Sequence, residues 1–310
     1  MAKAVVSVAF VVFACISACG RMAETPLDTV VGEVRLVEDF PSEHITPRNV
    51  FIWTPPGYET SEEPHQVLYM ADGQNLFDPR YSHQGVEWNL DETLSALIAA
   101  GDAPPTIVVG VWSTADRFRD YAPPHVAGRF DLSEDARYQG ALSGAAYLDF
   151  LTTELKPFID RAYRTRPERS ATFHMGASMG GLVSLYAATH GSDVFGGAGC
   201  LSTHWPLTLD ETQMADFDGW GAPLAAAFAA DLRAALPSPG DTRLWFDHGS
   251  EGLDAAYAPY QTVIDETLRA LGFEEGRSWR TRIYPGAGHS EGDWAARLED
   301  PLRFLLSPAP

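Results

Sequence analysis

From residue 49 to residue 306, short apolar runs rich in β-branched residues alternate with longer stretches whose apolar side chains recur three and four apart. Strand side chains repeat every second residue and helical ones about every 3.6, so this alternation restricts the chain to a layered α/β architecture. The strand-like segments are 28–37, 49–53, 66–71, 106–112, 170–175, 196–201, 242–246 and 279–284. The helix-like ones are 88–100, 144–163, 179–190, 223–236, 255–271 and 295–306. A short polar stretch between the first two strands predicts an antiparallel pair. The rest implies about eight strands in a mostly parallel sheet with helices on both faces. Ligands of such sheets gather at the carboxyl ends of the strands.

One turn in this succession carries chemistry. Gly176-Ala-Ser-Met-Gly-Gly181 lies between the fifth strand and a helix and fits the G-x-S-x-G nucleophile elbow, which makes Ser178 a candidate nucleophile. A serine hydroxyl is weak at neutral pH and needs a histidine base, which in turn needs an acid, in the chain order serine, acid, histidine. His289 stands in the glycine-rich loop directly after the eighth strand. After the seventh strand, Asp247-His-Gly-Ser-Glu-Gly-Leu-Asp254 offers Asp254 where the loop enters a helix, with Glu251 as the alternative acid. Stabilising a developing alkoxide takes two backbone N–H groups. Met179, next after the serine, supplies one, and Gln74 in the Asp72-Gly73-Gln74 loop after the third strand is the candidate for the other.

Other residues are weighed against this set. Arg117, His204 and Trp205 lie on loops at the same sheet edge and are possible substrate contacts. Two long connections, 113–142 and 203–241, are placed to form a partial lid, and Trp205, Phe217 and Trp220 in the second would either line a pocket or anchor the loop. His174, within a strand, reads as a core residue. The remaining histidines are scattered, with no H-x-H, H-E-x-x-H or paired cysteines, so neither a metal nor a cofactor is expected.

The N-terminal end predicts processing. Lys3, an apolar run to Ile16 and then Ser17-Ala18-Cys19 give residues 1–18 the composition of a secretory signal, too short for a membrane span. Ile16-Ser-Ala-Cys19 resembles a bacterial lipobox, which would make Cys19 a lipidation site and the protein an exported, membrane-anchored lipoprotein facing the periplasm or cell exterior. A plain secretory signal cut near Ala18 is the alternative. Residues 19–27 would connect this leader to a catalytic domain over 28–308. Cys200 is then the one cysteine left in the folded body, an expected small core residue, and no structural disulfide is predicted. The formal net charge of -20 disfavours nucleic acid and anionic lipid as partners.

Several stretches together resemble a known family. They are Leu68-Tyr-Met-Ala-Asp-Gly-Gln-Asn-Leu-Phe77, Ile107-Val-Val-Gly110 with Arg117 to Pro123, Glu154-Leu-Lys-Pro-Phe-Ile-Asp160, the elbow, Leu201-Ser-Thr-His-Trp205, the Asp254 loop, and His289 with Trp294. This set is similar to the esterase D-like branch of the α/β-hydrolases, which holds feruloyl and acetylxylan esterases, siderophore esterases, S-formylglutathione hydrolases and mycolyltransferases. The resemblance implies a Ser178, Asp254, His289 triad with backbone donors at Gln74 and Met179. The loop before Asp254 is longer than the family's Gly-x-x-Asp form, which keeps Glu251 open. The expected activity is hydrolysis of a carboxylic ester through an acyl-enzyme, the substrate being a small-molecule or carbohydrate ester such as a carbohydrate- or siderophore-linked one. Acyl transfer on the same residues and an inactive membrane-anchored binding protein are the alternatives.

Overall fold

The computed structural model describes residues 21–23, 29–240 and 242–307. The expected leader and Cys19 lie outside the described residues. Among the described residues nine strands form one sheet: β1 (Arg21–Ala23), β2 (Glu33–Phe40), β3 (Arg48–Thr54), β4 (Gln66–Ala71), β5 (Thr106–Val111), β6 (Thr172–Ala177), β7 (Gly197–Leu201), β8 (Arg243–Gly249) and β9 (Trp279–Tyr284). Their order is β1-β2-β3-β5-β4-β6-β7-β8-β9. The pairs from β1 through β3 to β5 are antiparallel, and all others are parallel.

The sheet therefore has one strand more than the sequence predicts, and the extra strand lies in the expected connector 19–27. Arg21–Ala23 pairs with Leu36, Val37 and Glu38. The outer edge of β2 offers unpaired backbone groups that a passing chain can satisfy. The β2 strand itself begins later than expected, after Gly32 at φ 97, a conformation that suits glycine and turns the chain into the sheet.

The strands β4, β5, β6 and β7 are buried at every position, as parallel strands covered on both faces must be. On one face Leu148, Leu151, Leu182, Val183, Phe228 and Ile264 pack over Tyr69, Val109 and Ala198. On the other, Leu94, Leu97, Leu302 and Leu305 pack over Leu68, Val108 and Met175. Cys200 and His174 are fully buried, as expected. His174 hydrogen-bonds Ser184 through Nδ1 at 2.9 Å, and burial holds its pKa down at about 3.

Prolines set helix boundaries that apolar spacing alone does not show. The expected helix 295–306 is two, Glu291–Arg297 and Glu299–Leu306, so that Pro301 falls in a first turn, where its missing N–H costs nothing. In the same way Pro259 opens Ala258–Ala270, behind a 3-10 turn at Gly252–Ala256. The expected helix 144–163 runs as Gly144–Asp149, a π-helical Phe150–Leu155 and Lys156–Ala162. The wider turn comes just before Pro157, which cannot donate to the preceding turn.

The connection 113–142 folds into Arg117–Tyr121, Pro124–Ala127 and a turn at Ala136–Tyr138. The second connection carries Glu211–Ala215, Phe217–Gly221 and Ala222–Ala235. Its aromatics are anchors. Phe217 meets Tyr260 edge-on at 5.1 Å, while Trp220 donates to the Pro206 carbonyl at 2.9 Å and meets Phe130 of the first connection at 5.8 Å.

Candidate active site

Ser178 sits between β6 and the helix Met179–His190 at φ 60 and ψ -123, a backbone region that costs a non-glycine residue energy. This geometry lifts Oγ out of the turn, and the flanking glycines make it possible. A Cβ on Gly176 would lie 2.9 Å from both the Ala71 Cβ and the Gly180 carbonyl oxygen.

Two loops bring the partners. His289 Nε2 lies 2.9 Å from Ser178 Oγ, and His289 Nδ1 lies 2.6 Å from Asp254 Oδ1. Asp254 is fully buried in the 3-10 turn after β8. The two loops are joined directly, since the Ala287 carbonyl accepts from the N–H groups of Ser250 at 2.9 Å and Glu251 at 3.0 Å. A Cβ on Gly249 would stand 2.0 Å from that carbonyl oxygen, so only glycine lets the histidine loop approach the end of β8. Glu251, the alternative acid, is exposed, and its carboxylate accepts only a 3.4 Å bond from its neighbour Ser250.

The second oxygen of Asp254 accepts from Ser202 Oγ at 2.5 Å and from the Gly249 N–H at 2.6 Å. Burial pushes the Asp254 carboxyl up, but the hydrogen bond and charge of His289 together with these two donors outweigh it and leave it below the ordinary carboxylate range. A charged acceptor on Oδ1 requires the hydrogen of His289 on Nδ1. Nε2 is then a lone pair facing the Ser178 hydroxyl, the arrangement that removes a proton from serine.

The loop after β4 is held in place from several sides. Asp72 is left-handed at φ 56, its N–H donates to Tyr121 Oη at 3.2 Å, and Arg117 grips its carboxylate with two bonds of 2.7 Å. The Gln74 side chain is locked by reciprocal bonds to Ser113, at 2.8 Å from Nε2 to Oγ and 3.1 Å from the Ser113 N–H to Oε1. A Cβ on Gly73 would come within 2.1 Å of the Gly110 carbonyl carbon, so the loop rests directly on the β5 backbone. Met179 opens its helix, where a backbone N–H has no acceptor within the helix.

Of the three expected substrate contacts, Arg117 keeps a partly exposed side chain but is committed to Asp72. His204 is buried beside His289, with ring centroids 6.4 Å apart. Its Nδ1 meets Tyr257 Oη at 2.8 Å and its backbone N–H donates to the Ser178 carbonyl at 3.2 Å, so it braces the elbow. Burial first, and the nearby His289, Arg117 and Arg137, hold its pKa at about 3, which makes it a neutral ring. Trp205 is in the core between Phe228 and Phe246, at 5.2 and 6.1 Å, and its predicted contact role gives way to packing. The sequence reading missed Ser202, which stands at φ 39 directly after β7. Its signal was present in the Ser-Thr-His-Trp run at the carboxyl end of a central strand.

Comparison with known proteins follows the same lines. The family model described as "Putative esterase" matches residues 43–305. The chain is 27% identical over 272 residues to the uncharacterized protein YbbA of Bacillus subtilis (strain 168), covering 85% of this chain and 95% of that protein. Among solved structures it is similar to an IroE-like serine hydrolase from Shewanella oneidensis, with a TM-score of 0.64, 22% identity, and coverage of 88% of this chain and 79% of the other. A ferulic acid esterase superposes at 0.59 with 18% identity, covering 90% and 99%. The enterobactin esterase FES from Shigella flexneri, in the presence of 2,3-Di-hydroxy-N-benzoyl-glycine, superposes at 0.62 with 18% identity, covering 94% of this chain and 62% of FES.

Proposed function

The chain belongs to this esterase family and is a carboxylic ester hydrolase, and on that premise we propose that it works through an acyl-enzyme on Ser178. The observation that carries this reading is the unbroken row from Ser178 Oγ through His289 to Asp254. Ser178 Oγ attacks the ester carbonyl carbon while its proton passes to His289 Nε2. Asp254 stabilises the imidazolium that results. The carbonyl oxygen, now an alkoxide, is held by the backbone N–H groups of Gln74 and Met179. Collapse of the tetrahedral intermediate breaks the bond to the alcohol, which takes the proton from Nε2. Water then repeats the sequence on the acyl-serine and releases the acid.

The substrate we propose is a carbohydrate- or siderophore-linked ester, a reading supported by the ferulic acid and enterobactin esterases among the similar structures. We also propose export and lipidation at Cys19, from the composition of residues 1–18 and the lipobox-like Ile16 to Cys19. Retention of a Cys19→Ala variant in the membrane fraction would count against that anchor.

Hydrolysis of p-nitrophenyl acetate by wild type and by Ser178→Ala tests the mechanism. Wild type turns over and the variant falls to the buffer rate or close to it. Equal rates in the two proteins would remove Ser178 from the chemistry. A panel of feruloyl, acetyl-sugar and siderophore esters then ranks substrates by kcat/KM.

A further inference from the structure

Beneath the acid lies a set of buried groups with no part in the steps above. Ser202 Oγ donates to Asp254 Oδ2 at 2.5 Å, and it accepts from Trp294 Nε1 at 2.9 Å and from one terminal nitrogen of Arg297 at 2.6 Å. A hydroxyl has one hydrogen and two lone pairs. Trp294 and Arg297 are donors only, and between them they fill both lone pairs. The hydrogen of Ser202 therefore has a single direction left, toward Asp254. A serine hydroxyl that elsewhere rotates freely is here an obligate donor.

Arg297 is 4% exposed and stands 3.8 Å from Asp254 Oδ2. The same terminal nitrogen contacts Asp247 Oδ1 at 2.9 Å, and Nε contacts it at 3.1 Å. Asp247 is fully supplied without Ser202 Oγ, because Trp245 Nε1 donates to its other oxygen at 2.8 Å. An arginine present only to neutralise Asp247 has no need of a third partner. Trp294 and Arg297 are three apart on the helix Glu291–Arg297, on one face, and that helix begins two residues after His289. The short segment from His289 to Arg297 thus carries the base and reaches beneath its acid.

We propose that Arg297, acting through Ser202, is a positioning residue that fixes the Asp254 carboxylate in the orientation that presents Oδ1 to His289. This rests on the acyl-enzyme reading above. The charges make the device more than a brace. Asp247, Arg297 and Asp254 together carry one net negative charge, which protonation of His289 cancels during the reaction. The groups that face His289 are Asp254, Ser178, His204 and Tyr257, and those that face Arg297 are Asp247, Asp254 and the Tyr284 ring. Removing the Arg297 cation leaves the pair more negative and makes His289 easier to protonate. Removing the Ser202 hydroxyl leaves Asp254 more basic, with the same sign.

The experiment uses the full chain and p-nitrophenyl acetate, with rates divided by the active sites that a covalent serine reagent titrates. Ser202→Ala lowers kcat by roughly 10- to 100-fold with KM nearly unchanged, because orientation of the base is lost and substrate binding is not. Arg297→Gln has an effect of the same order and moves the acid limb of the pH profile to higher pH, whereas Arg297→Lys, which keeps the charge, leaves the limb in place. The far-downfield proton NMR signal of His289 Nδ1–H shifts in Ser202→Ala and provides a reading independent of turnover. Where Arg297→Gln fails to fold, Ser202→Ala decides alone. Unchanged kcat, acid limb and NMR signal in Ser202→Ala, with wild type active and Ser178→Ala dead, would overturn the proposal and leave the esterase mechanism standing. Equal turnover by Ser178→Ala and wild type would overturn both.

Discussion

Replacing Asp254 by asparagine changes no volume and tests the hydrogen-bond logic of the site. The carboxylate takes three hydrogen bonds, one from His289 Nδ1 on Oδ1, and two from Ser202 Oγ and the Gly249 N–H on Oδ2. Asparagine has one oxygen and one NH2 group to divide between those sides. With NH2 toward Ser202 and Gly249, it would face two donors, one of them a backbone N–H that cannot turn away. With NH2 toward His289, only one donor must change, and an imidazole can do so by moving its hydrogen from Nδ1 to Nε2. The second arrangement is therefore the stable one, and it places a hydrogen where the lone pair for Ser178 has to be. Loss of the right tautomer costs about 10⁴-fold in kcat in triads of this kind, or about 5.5 kcal/mol of activation free energy. Initial rates with p-nitrophenyl acetate on equal numbers of titrated sites measure it, with Glu251→Gln as the companion variant that stays near wild type. The reasoning fails if Asp254→Asn retains more than a tenth of wild-type kcat, or if the large loss appears in Glu251→Gln instead.

Two further perturbations probe the frame around the site. Asp91 is buried, accepts the Val31 N–H at 2.7 Å on one oxygen and has no hydrogen-bond partner on the other among the described residues; burial first, and Glu92 nearby, raise its pKa from 3.8 to about 7. The native state therefore holds a proton that the unfolded chain releases between those values, and stability falls as pH rises across that window. Asp91→Asn can still accept from Val31, so its melting temperature exceeds that of wild type by more at pH near 8 than at pH near 5. An equal gap at both values would remove Asp91 as the source. Gly73→Ala introduces a methyl 2.1 Å from the Gly110 carbonyl carbon, which must displace the loop that carries Gln74. The expected outcome is a fall in both melting temperature and kcat, with a stability loss of about 1–3 kcal/mol; a kcat at the wild-type level would separate Gln74 from the reaction.

How far the chain could be read before folding follows from what each signal depends on. The strands β4, β5, β6 and β7 were legible because burial on both faces demands largely apolar runs, and the sequence displays them. Ser178, His289 and Asp254 were legible because each lies directly after a strand, where a parallel sheet collects its loops. The short Arg21–Ala23 was not legible, since its pairing depends on a free neighbouring edge rather than on its own residues. Trp205 was left between pocket and anchor because an aromatic on a loop has the same appearance whether it turns outward or into the core, and only the positions of Phe228 and Phe246 decide. Ser202 and Arg297 lie 95 residues apart. Nothing local joins them, and the link exists only once the helix Glu291–Arg297 has closed over the ends of β7 and β8.

The left-handed backbone at Ser178 bears on how such a protein changes over time. A non-glycine residue at φ 60 and ψ -123 costs the fold on the order of 1–3 kcal/mol, and glycine would relieve most of that. A lineage screened only for heat resistance would thus gain by replacing Ser178 with glycine, since fold stability favours glycine there and only the proposed nucleophilic role favours serine. On the proposed mechanism, a serine at this position is a record of selection for activity.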